Sequence, residues 1–142
     1  MQTPNDDHRA IGDVIATYAR ALDLRDWALA MAQFTDNAEA YEAATPGPEA
    51  IIAFNRLRLE GCGPTMHFLG HQTIRIEQDR AFAVTQVRAF HIGKGRREGI
   101  TYEVMGEYHD ELLRTAQGWR IARRRFDRRL VQGDPDVLQP GA

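Results

Sequence analysis

Residues 61–71, GCGPTMHFLGH, mark the point where the hydrophobic pattern of the chain changes. Before this stretch, apolar residues recur at steps of three and four, which predicts amphipathic helices. After Pro64, apolar and polar residues alternate, which predicts strands. Helices first and strands afterwards are typical of an α+β domain, with helices packed on one face of an antiparallel sheet.

The periodicity predicts three helices and four long strands. We expect a first helix that ends near Asp23, a short second helix that begins at Asp26, and a third helix over 49–59. The strands are expected from about 65, over 81–92, from about 100 to 112, and from 119 to about 130. A single domain then covers 1–132. The tail, 133–142, is rich in Pro, Gly and Asp and is expected to be flexible.

The composition excludes several classes of protein. The 142 residues carry a net charge of −2, which does not favour nucleic acid or an anionic membrane as a partner. No run of about 18 apolar residues is present to span a membrane. The polar, acidic first seven residues are unlike a signal peptide, so we expect a cytoplasmic protein. The single cysteine, Cys62, excludes an internal disulfide.

Four motifs carry a family resemblance that extends from about His8 to Leu130. They are YARALDLRDW at 18–27, GPEAI at 47–51, TMHFLGH at 65–71, and GEYHDEL at 106–112 followed by GWRIARR at 118–124. Together they resemble the SnoaL-like and scytalone-dehydratase-like branch of the nuclear transport factor 2-like superfamily. The resemblance implies a cone-shaped α+β barrel, with N-terminal helices packed on a long curved antiparallel sheet that encloses a pocket.

The same resemblance implies a small-molecule substrate, no cofactor, and a homo-oligomer, dimer or trimer, that pairs across the outer face of the sheet. Related enzymes include dehydratases, dehydrohalogenases, polyketide cyclases, isomerases and epoxide hydrolases. Other relatives are dioxygenase β-subunits or binding and dimerisation modules. Fold alone therefore does not settle the reaction, which depends on the residues in the pocket.

Asp23 and His67 match the positions at which dehydratase and dehydrochlorinase relatives hold a carboxylate and a histidine base. A neutral imidazole can remove a proton near neutral pH. A carboxylate on its other nitrogen would select the tautomer and stabilise the imidazolium. Taken without the family pattern, Asp23 is better explained as a solvated or capping carboxylate, and His67 as a satisfied polar residue on a half-buried strand.

Three further residues are assigned to substrate binding. Tyr18 lies on the apolar face of the first helix, where it either packs in the core or holds a substrate oxygen. His91 follows His67 by 24 residues, a spacing like that of the two pocket histidines of scytalone dehydratase, and is expected to donate a proton to a departing hydroxide. Its small neighbours suit a pocket or a tight helix–sheet contact. Trp27 is the third residue assigned to substrate binding.

The arginine run over 123–129 has several interpretations. Most of it suits a solvated face or ion pairs with the acidic first half, and it lacks the interleaved aromatic residues of a nucleic-acid surface. Arg123 follows Trp119 by four residues, where related enzymes place an inward-pointing arginine. Strand alternation puts Arg123 and Arg125 on the side of Trp119, so either could bind a developing anion, and Arg123 is preferred.

A metal site is not predicted. His67 and His71 are four residues apart, which on a strand is about 13 Å. One zinc ion with bonds near 2 Å cannot join them.

The sequence therefore favours a cofactor-independent lyase, of the dehydratase or dehydrohalogenase type. His67, oriented by Asp23, would abstract a proton from a small, cyclic, mostly apolar substrate. Arg123 and Tyr18 would stabilise the developing charge. An isomerase or polyketide cyclase with the same base, or a non-catalytic ligand-binding or dimerisation module such as a dioxygenase β-subunit, are the alternatives.

Overall fold

The computed structural model describes residues 3–41 and 43–140, and within these ranges three helices pack on a five-stranded sheet. This architecture confirms the α+β cone expected from the sequence. The helices are α1 (Pro4–Leu24), α2 (Trp27–Met31) and α3 (Pro48–Leu59). The strands are β1 (Phe34–Ala40), β2 (Thr65–Glu77), β3 (Arg80–Ile92), β4 (Thr101–Thr115) and β5 (Gly118–Gly133). Short 3₁₀ turns lie at Gly95–Arg97 and Pro135–Leu138.

The sheet is mixed, because its edge strand β1 runs parallel to β5. The strand order is β1-β5-β4-β3-β2, and the four long strands are antiparallel as expected. Strand β1 was not expected from the sequence. Its buried positions are Phe34, Ala38 and Ala40, and two of these are alanines, so the strand has a weak hydrophobic signal.

The first helix ends where the candidate site requires it to end. Arg25 adopts a left-handed conformation with φ 57°, and the amide of Asp26 donates to the carbonyl of Ala21 at 2.8 Å. This six-to-one bond is the mark of a Schellman ending. Asp23 therefore lies in the last turn, as expected. Although α1 has 21 residues, neither it nor any other helix in the described ranges is long and apolar enough to cross a membrane.

A β-bulge in β2 changes which side chains face the core. The pairing of β2 with β3 shifts between Leu69 and Gln72. Before the bulge the odd-numbered residues point inward, so Met66 and Phe68 are about half exposed, at 52% and 53%. After it, the even-numbered residues such as Ile74 turn inward. The unbroken alternation expected from Met66 to Ile76 is therefore wrong.

The C-terminal segment belongs to the folded domain. The residues from 133, expected to form a flexible tail, instead complete β5 and form a 3₁₀ turn in which Val137 is fully buried in the core. Arg97 also donates to the carbonyl of Gln139 at 3.0 Å. The final two positions of the predicted tail, 141 and 142, lie outside the described residues.

Candidate active site

The carboxylate of Asp23 and the imidazole of His67 are hydrogen-bonded between the end of α1 and the start of β2. The distance from His67 Nδ1 to Asp23 Oδ1 is 2.6 Å, and the side chains are only 7% and 14% exposed for His67 and Asp23 respectively. Because an ionised carboxylate can only accept a hydrogen bond, Nδ1 carries the hydrogen and donates it to Asp23. The other ring nitrogen, Nε2, is left with a free lone pair. The structure thus brings together the two residues that the sequence analysis paired, which we call the dyad.

Three donors hold the Asp23 carboxylate in its ionised form. Besides the His67 ring, the His67 backbone N–H donates to Oδ2 at 2.8 Å and the Thr65 hydroxyl donates to Oδ1 at 3.1 Å. Burial of the carboxyl acts to raise its pKa, but the hydrogen bonds from His67 and Thr65 outweigh burial and leave the pKa of Asp23 lowered. The dyad therefore retains a charged carboxylate well below neutral pH.

Arg25 and Thr65 support the dyad and were missed by the sequence analysis. The Arg25 guanidinium donates to the Thr65 hydroxyl at 2.7 Å and to the Gly63 carbonyl at 2.8 Å. This leaves the Thr65 hydrogen free for Asp23. Thr65 shares an inward strand face with His67, which was the available signal, whereas the role of Arg25 depends on the left-handed turn that ends α1.

His91 lies beside the dyad, and its second ring nitrogen, Nε2, is a hydrogen-bond acceptor. Its ring centroid is 6.1 Å from that of His67, and its Nδ1 donates to the Tyr102 carbonyl at 3.0 Å. Burial lowers the pKa of His91 to about 4. At neutral pH this imidazole is uncharged and its Nε2 can only accept. The expected role, proton donation to a departing hydroxide, therefore disagrees with the resting state of the residue.

Tyr18 belongs to a second buried group, separate from the dyad, which we call the polar cluster. It comprises Tyr18, Tyr41, Tyr108, Asp110 and Arg124. The Tyr18 and Tyr41 hydroxyls are 3.0 Å apart, and the Arg124 guanidinium reaches Tyr41 at 3.5 Å. Burial, with a smaller effect from Tyr41, raises the pKa of Tyr18 well above its usual value. Tyr41 was missed because it directly follows the strand that the sequence did not reveal.

Arg124, not Arg123 or Arg125, is the inward-pointing arginine. The Arg123 side chain is 67% exposed and pairs with Glu39, and Arg125 is also exposed. The reason is a bulge: Leu112 of β4 pairs with Ile121, but the adjacent Glu111 pairs with Arg123. The extra residue in β5 reverses the alternation, so that Trp119, Ile121 and Arg124 all face inward. The expected inward direction of Arg123 and Arg125 is therefore wrong, although both border an opening at the surface.

Buried Arg124 is held on every side. Its Nε and one terminal nitrogen donate to the two oxygens of Asp110, at 2.6 and 2.8 Å. Its guanidinium carbon lies 3.8 Å from the Tyr108 ring centroid and 4.7 Å from that of Tyr18. Burial acts to lower the pKa of Arg124, but the Asp110 charge outweighs it. The other terminal nitrogen of Arg124 donates to the Tyr41 hydroxyl at 3.5 Å.

Two openings lie beside these groups. One, of about 650 Å³, is bordered by Asp23, Arg25, Leu59 and Cys62. The other, of about 850 Å³, lies between α3 and β5, and we call it the mouth pocket. Its walls include Tyr41, Phe54, Tyr102, Val104, Arg124 and Leu138. The mouth pocket contacts the polar cluster through Arg124. It also contains Tyr102, whose carbonyl accepts a hydrogen bond from His91, the neighbour of the dyad.

Trp27 lines neither opening. It is half-buried at the start of α2, packs against the core, and has the Arg56 guanidinium 5.9 Å from its ring centroid. This is a packing position, which disagrees with the substrate-binding role expected for it.

One cluster of metal-ligand type occurs among the described residues, on the outer face of the sheet. Ligand atoms of Glu107, His109 and Asp127 lie within 4.8 Å of one another. The Arg129 guanidinium already donates to Glu107 at 2.7 Å and lies 3.6 Å from Asp127, so both carboxylates have a cationic partner. His71, exposed within the β2 bulge, is not part of this cluster or of the dyad.

Comparison with known proteins places these residues in a family. The family model described as "SnoaL-like domain" matches residues 5–125. No curated protein matches the sequence significantly. Among solved structures, a putative aromatic ring hydroxylase from Novosphingobium aromaticivorans is 27% identical, with a TM-score of 0.84 over 97% of this chain and 100% of that one.

Two other solved structures have lower identity and show the shared fold. A putative scytalone dehydratase from the same organism is 20% identical, with a TM-score of 0.78 over 88% of this chain and 85% of that one. A hexachlorocyclohexane dehydrochlorinase, LinA type 2, is 16% identical, with a TM-score of 0.78 over 89% and 87%. Because the family match spans most of the chain, this protein belongs to the SnoaL-like domain family.

Proposed function

We propose that this protein is a cofactor-independent lyase in which His67 is the base and Asp23 orients it. The observation that carries the proposal is the 2.6 Å hydrogen bond from His67 Nδ1 to Asp23. It leaves Nε2 as a proton acceptor, in a ring whose centroid is 6.1 Å from that of His91. The dehydratase and dehydrochlorinase folds among its structural neighbours are consistent with this chemistry.

The reaction begins with removal of a proton from carbon. His67 Nε2 takes the proton, and the electron pair of the C–H bond forms a carbon–carbon double bond. The Asp23 carboxylate stabilises the imidazolium across the bond to Nδ1, without itself taking the proton. The charge of Asp23 is available throughout, because its pKa is lowered by donors from His67 and Thr65.

The leaving group departs with the electrons of its bond to the neighbouring carbon. If it is a halide, the proton stays on His67 until solvent removes it. If it is hydroxide, the proton on His67 passes to it and water leaves, so no second acid is needed. That route suits the structure, because neutral His91 can position a substrate hydroxyl as an acceptor but cannot protonate it.

The polar cluster supplies donors for negative charge on the substrate. Tyr41 lines the mouth pocket, and its hydroxyl contacts both Tyr18 and Arg124. A buried cation next to a phenol makes its hydroxyl a better hydrogen-bond donor to a developing oxyanion. In this proposal Tyr41 replaces Arg123 as the group that touches the substrate, and Arg124 acts through it.

The test is a screen of hydroxylated and halogenated cyclic compounds for elimination products, detected by mass spectrometry. Turnover by the wild type should fall by about 10²-fold or more in His67→Ala and Asp23→Asn. His71→Ala is the matched control, since it removes an exposed histidine from the same strand and should leave the rate unchanged.

Two results would count against the lyase. Activity retained in a folded His67→Ala protein would reject the base. Substrates that exchange or move a hydrogen without losing a group would indicate an isomerase with the same dyad, since the imidazolium can return its proton to another carbon.

A further inference from the structure

The rim of the mouth pocket is strongly cationic. Its walls hold five arginines and one acidic residue, Glu39. Two of the arginines have a carboxylate partner: Arg124 pairs with Asp110, and Arg123 with Glu39. In the part of the chain that the structure describes, the other three, Arg58, Arg125 and Arg128, have no carboxylate within ion-pair distance.

Two of these unpaired arginines lie on opposite sides of the pocket. Arg58 comes from α3, where it donates to the Phe54 carbonyl at 3.0 Å and lies 3.7 Å from the Phe54 ring centroid. Arg128 comes from β5, opposite Gly106, on the inner row that also contains Phe126. In contrast, Arg125 pairs in register with His109 of the outer face. Arg58 and Arg128 therefore form the rim.

The wall below the rim is aromatic. The Tyr41 and Phe54 rings stack with centroids 6.1 Å apart and planes 9° apart, and Tyr102 and Phe126 complete the lining. Tyr102 connects this wall to the dyad through His91. The ring centroids of Tyr102 and His91 are 5.8 Å apart, and those of His91 and His67 are 6.1 Å apart. A flat ring bound against this wall would point toward the dyad while its outer end stayed at the rim.

We propose that the substrate is a cyclic or aromatic carboxylate, whose ring enters the mouth pocket and whose carboxylate is bound by Arg58 and Arg128. This inference rests on the proposed function, since it names the substrate class of the same site. Guanidinium groups bind planar carboxylates through paired N–H donors, and Arg58 and Arg128 lie beside this aromatic wall without a carboxylate partner from the described chain. The ring carries the acidic C–H on the side remote from the carboxylate.

The test compares two probes of equal shape, 2-naphthoate and 2-naphthamide, by isothermal titration calorimetry. Wild-type protein should bind the carboxylate at least about tenfold more tightly than the amide, as expected for charge-assisted hydrogen bonds. Arg58→Gln/Arg128→Gln should abolish this preference. The matched control, Arg9→Gln/Arg20→Gln, removes the same charge from exposed positions of α1 that border neither opening and should change it less than about threefold.

The outcomes separate this inference from the proposed function. No preference for naphthoate, or an equal loss in both double variants, would overturn the rim site and leave the dyad untouched. His67→Ala should bind naphthoate as the wild type does, because binding needs no proton transfer. If the rim selects naphthoate but no carboxylated ring compound in the screen is converted, the lyase is overturned instead.

Discussion

Arg124 and Asp110 form a bidentate ion pair in which both side chains are completely buried. The two N–O distances are 2.6 and 2.8 Å, and each side chain is 0% exposed. The residues face each other across the adjacent strands β4 and β5, and the guanidinium is stacked between Tyr18 and Tyr108. Each of these buried charges is compensated by the other, so the loss of either partner leaves an unpaired charge in the core.

Removing one partner should therefore be strongly destabilising. We expect Arg124→Met to lower the free energy of unfolding by about 3–5 kcal/mol, because Asp110 is left as an unpaired buried charge. Urea denaturation followed by circular dichroism measures this. Arg123→Met is the control and should cost less than about 0.5 kcal/mol, as for an exposed residue. Similar costs for the two variants would contradict the inward assignment of Arg124.

Thr65 should influence the ionisation of Asp23. Thr65→Val removes a donor to the carboxylate while keeping the side-chain shape, so the pKa of Asp23 should rise. Carbon-13 NMR titration of the Asp23 carboxyl group measures the change. Thr73→Val, on the same strand, should leave that pKa unaltered. A pKa of Asp23 that is the same in Thr65→Val and the wild type would show that the hydroxyl does not matter to it.

His91 should make the protein lose stability in mild acid. Its pKa is about 4 in the folded state against a usual 6.5, so the unfolded chain binds the proton more readily. The resulting stabilisation is complete above pH 6.5 and is lost as the pH falls from 6.5 to about 4. At about 1.4 kcal/mol per pKa unit, the loss is roughly 3 kcal/mol.

Chemical denaturation at pH 7, 5.5 and 4.5 checks this, with His91→Gln as the comparison. The variant should show a flatter dependence over that range. Asp23 acts in a lower window, because its pKa is lowered from 3.8 and its contribution is lost only as the pH falls below that value. A slope between pH 6.5 and 4.5 that is unchanged in His91→Gln would refute the role of His91.

The outer face of the sheet is the surface on which we propose that copies of the chain associate. Met66, Phe68 and Leu130 are exposed there, at 52%, 53% and 61%. Phe68 and Leu130 border a groove of about 350 Å³. Phe68→Asp should shift the protein to a monomer in size-exclusion chromatography with light scattering. Leu57→Asp, at an exposed leucine on α3, should not. A wild-type monomer would contradict the proposal.

The local pattern of the chain was enough to predict the long elements, and the family resemblance pointed to the dyad. Helical spacing before residue 61 and alternation after residue 64 separate helices from strands, because the two periods put different side chains on one face. The residues of the dyad each lie at an element end that the sequence marks: Asp23 before the cap at Asp26, and His67 after Pro64. The missed strand β1 shows the limit, because small buried alanines give little periodic signal.

Only the tertiary structure decided which arginine enters the cone. Alternation in the sequence put Arg123 with Trp119, but one extra residue in β5 moves Arg124 inward and leaves Arg123 in solvent. Such a bulge is fixed by pairing with β4, across residues distant in the chain, and no local pattern reveals it. The sequence by itself determined the order of helices and strands, and its family resemblance pointed to the cone and to the pairing of Asp23 with His67. The strand register determined the polar cluster, the cationic rim and the way Tyr102 and His91 connect that rim to the base.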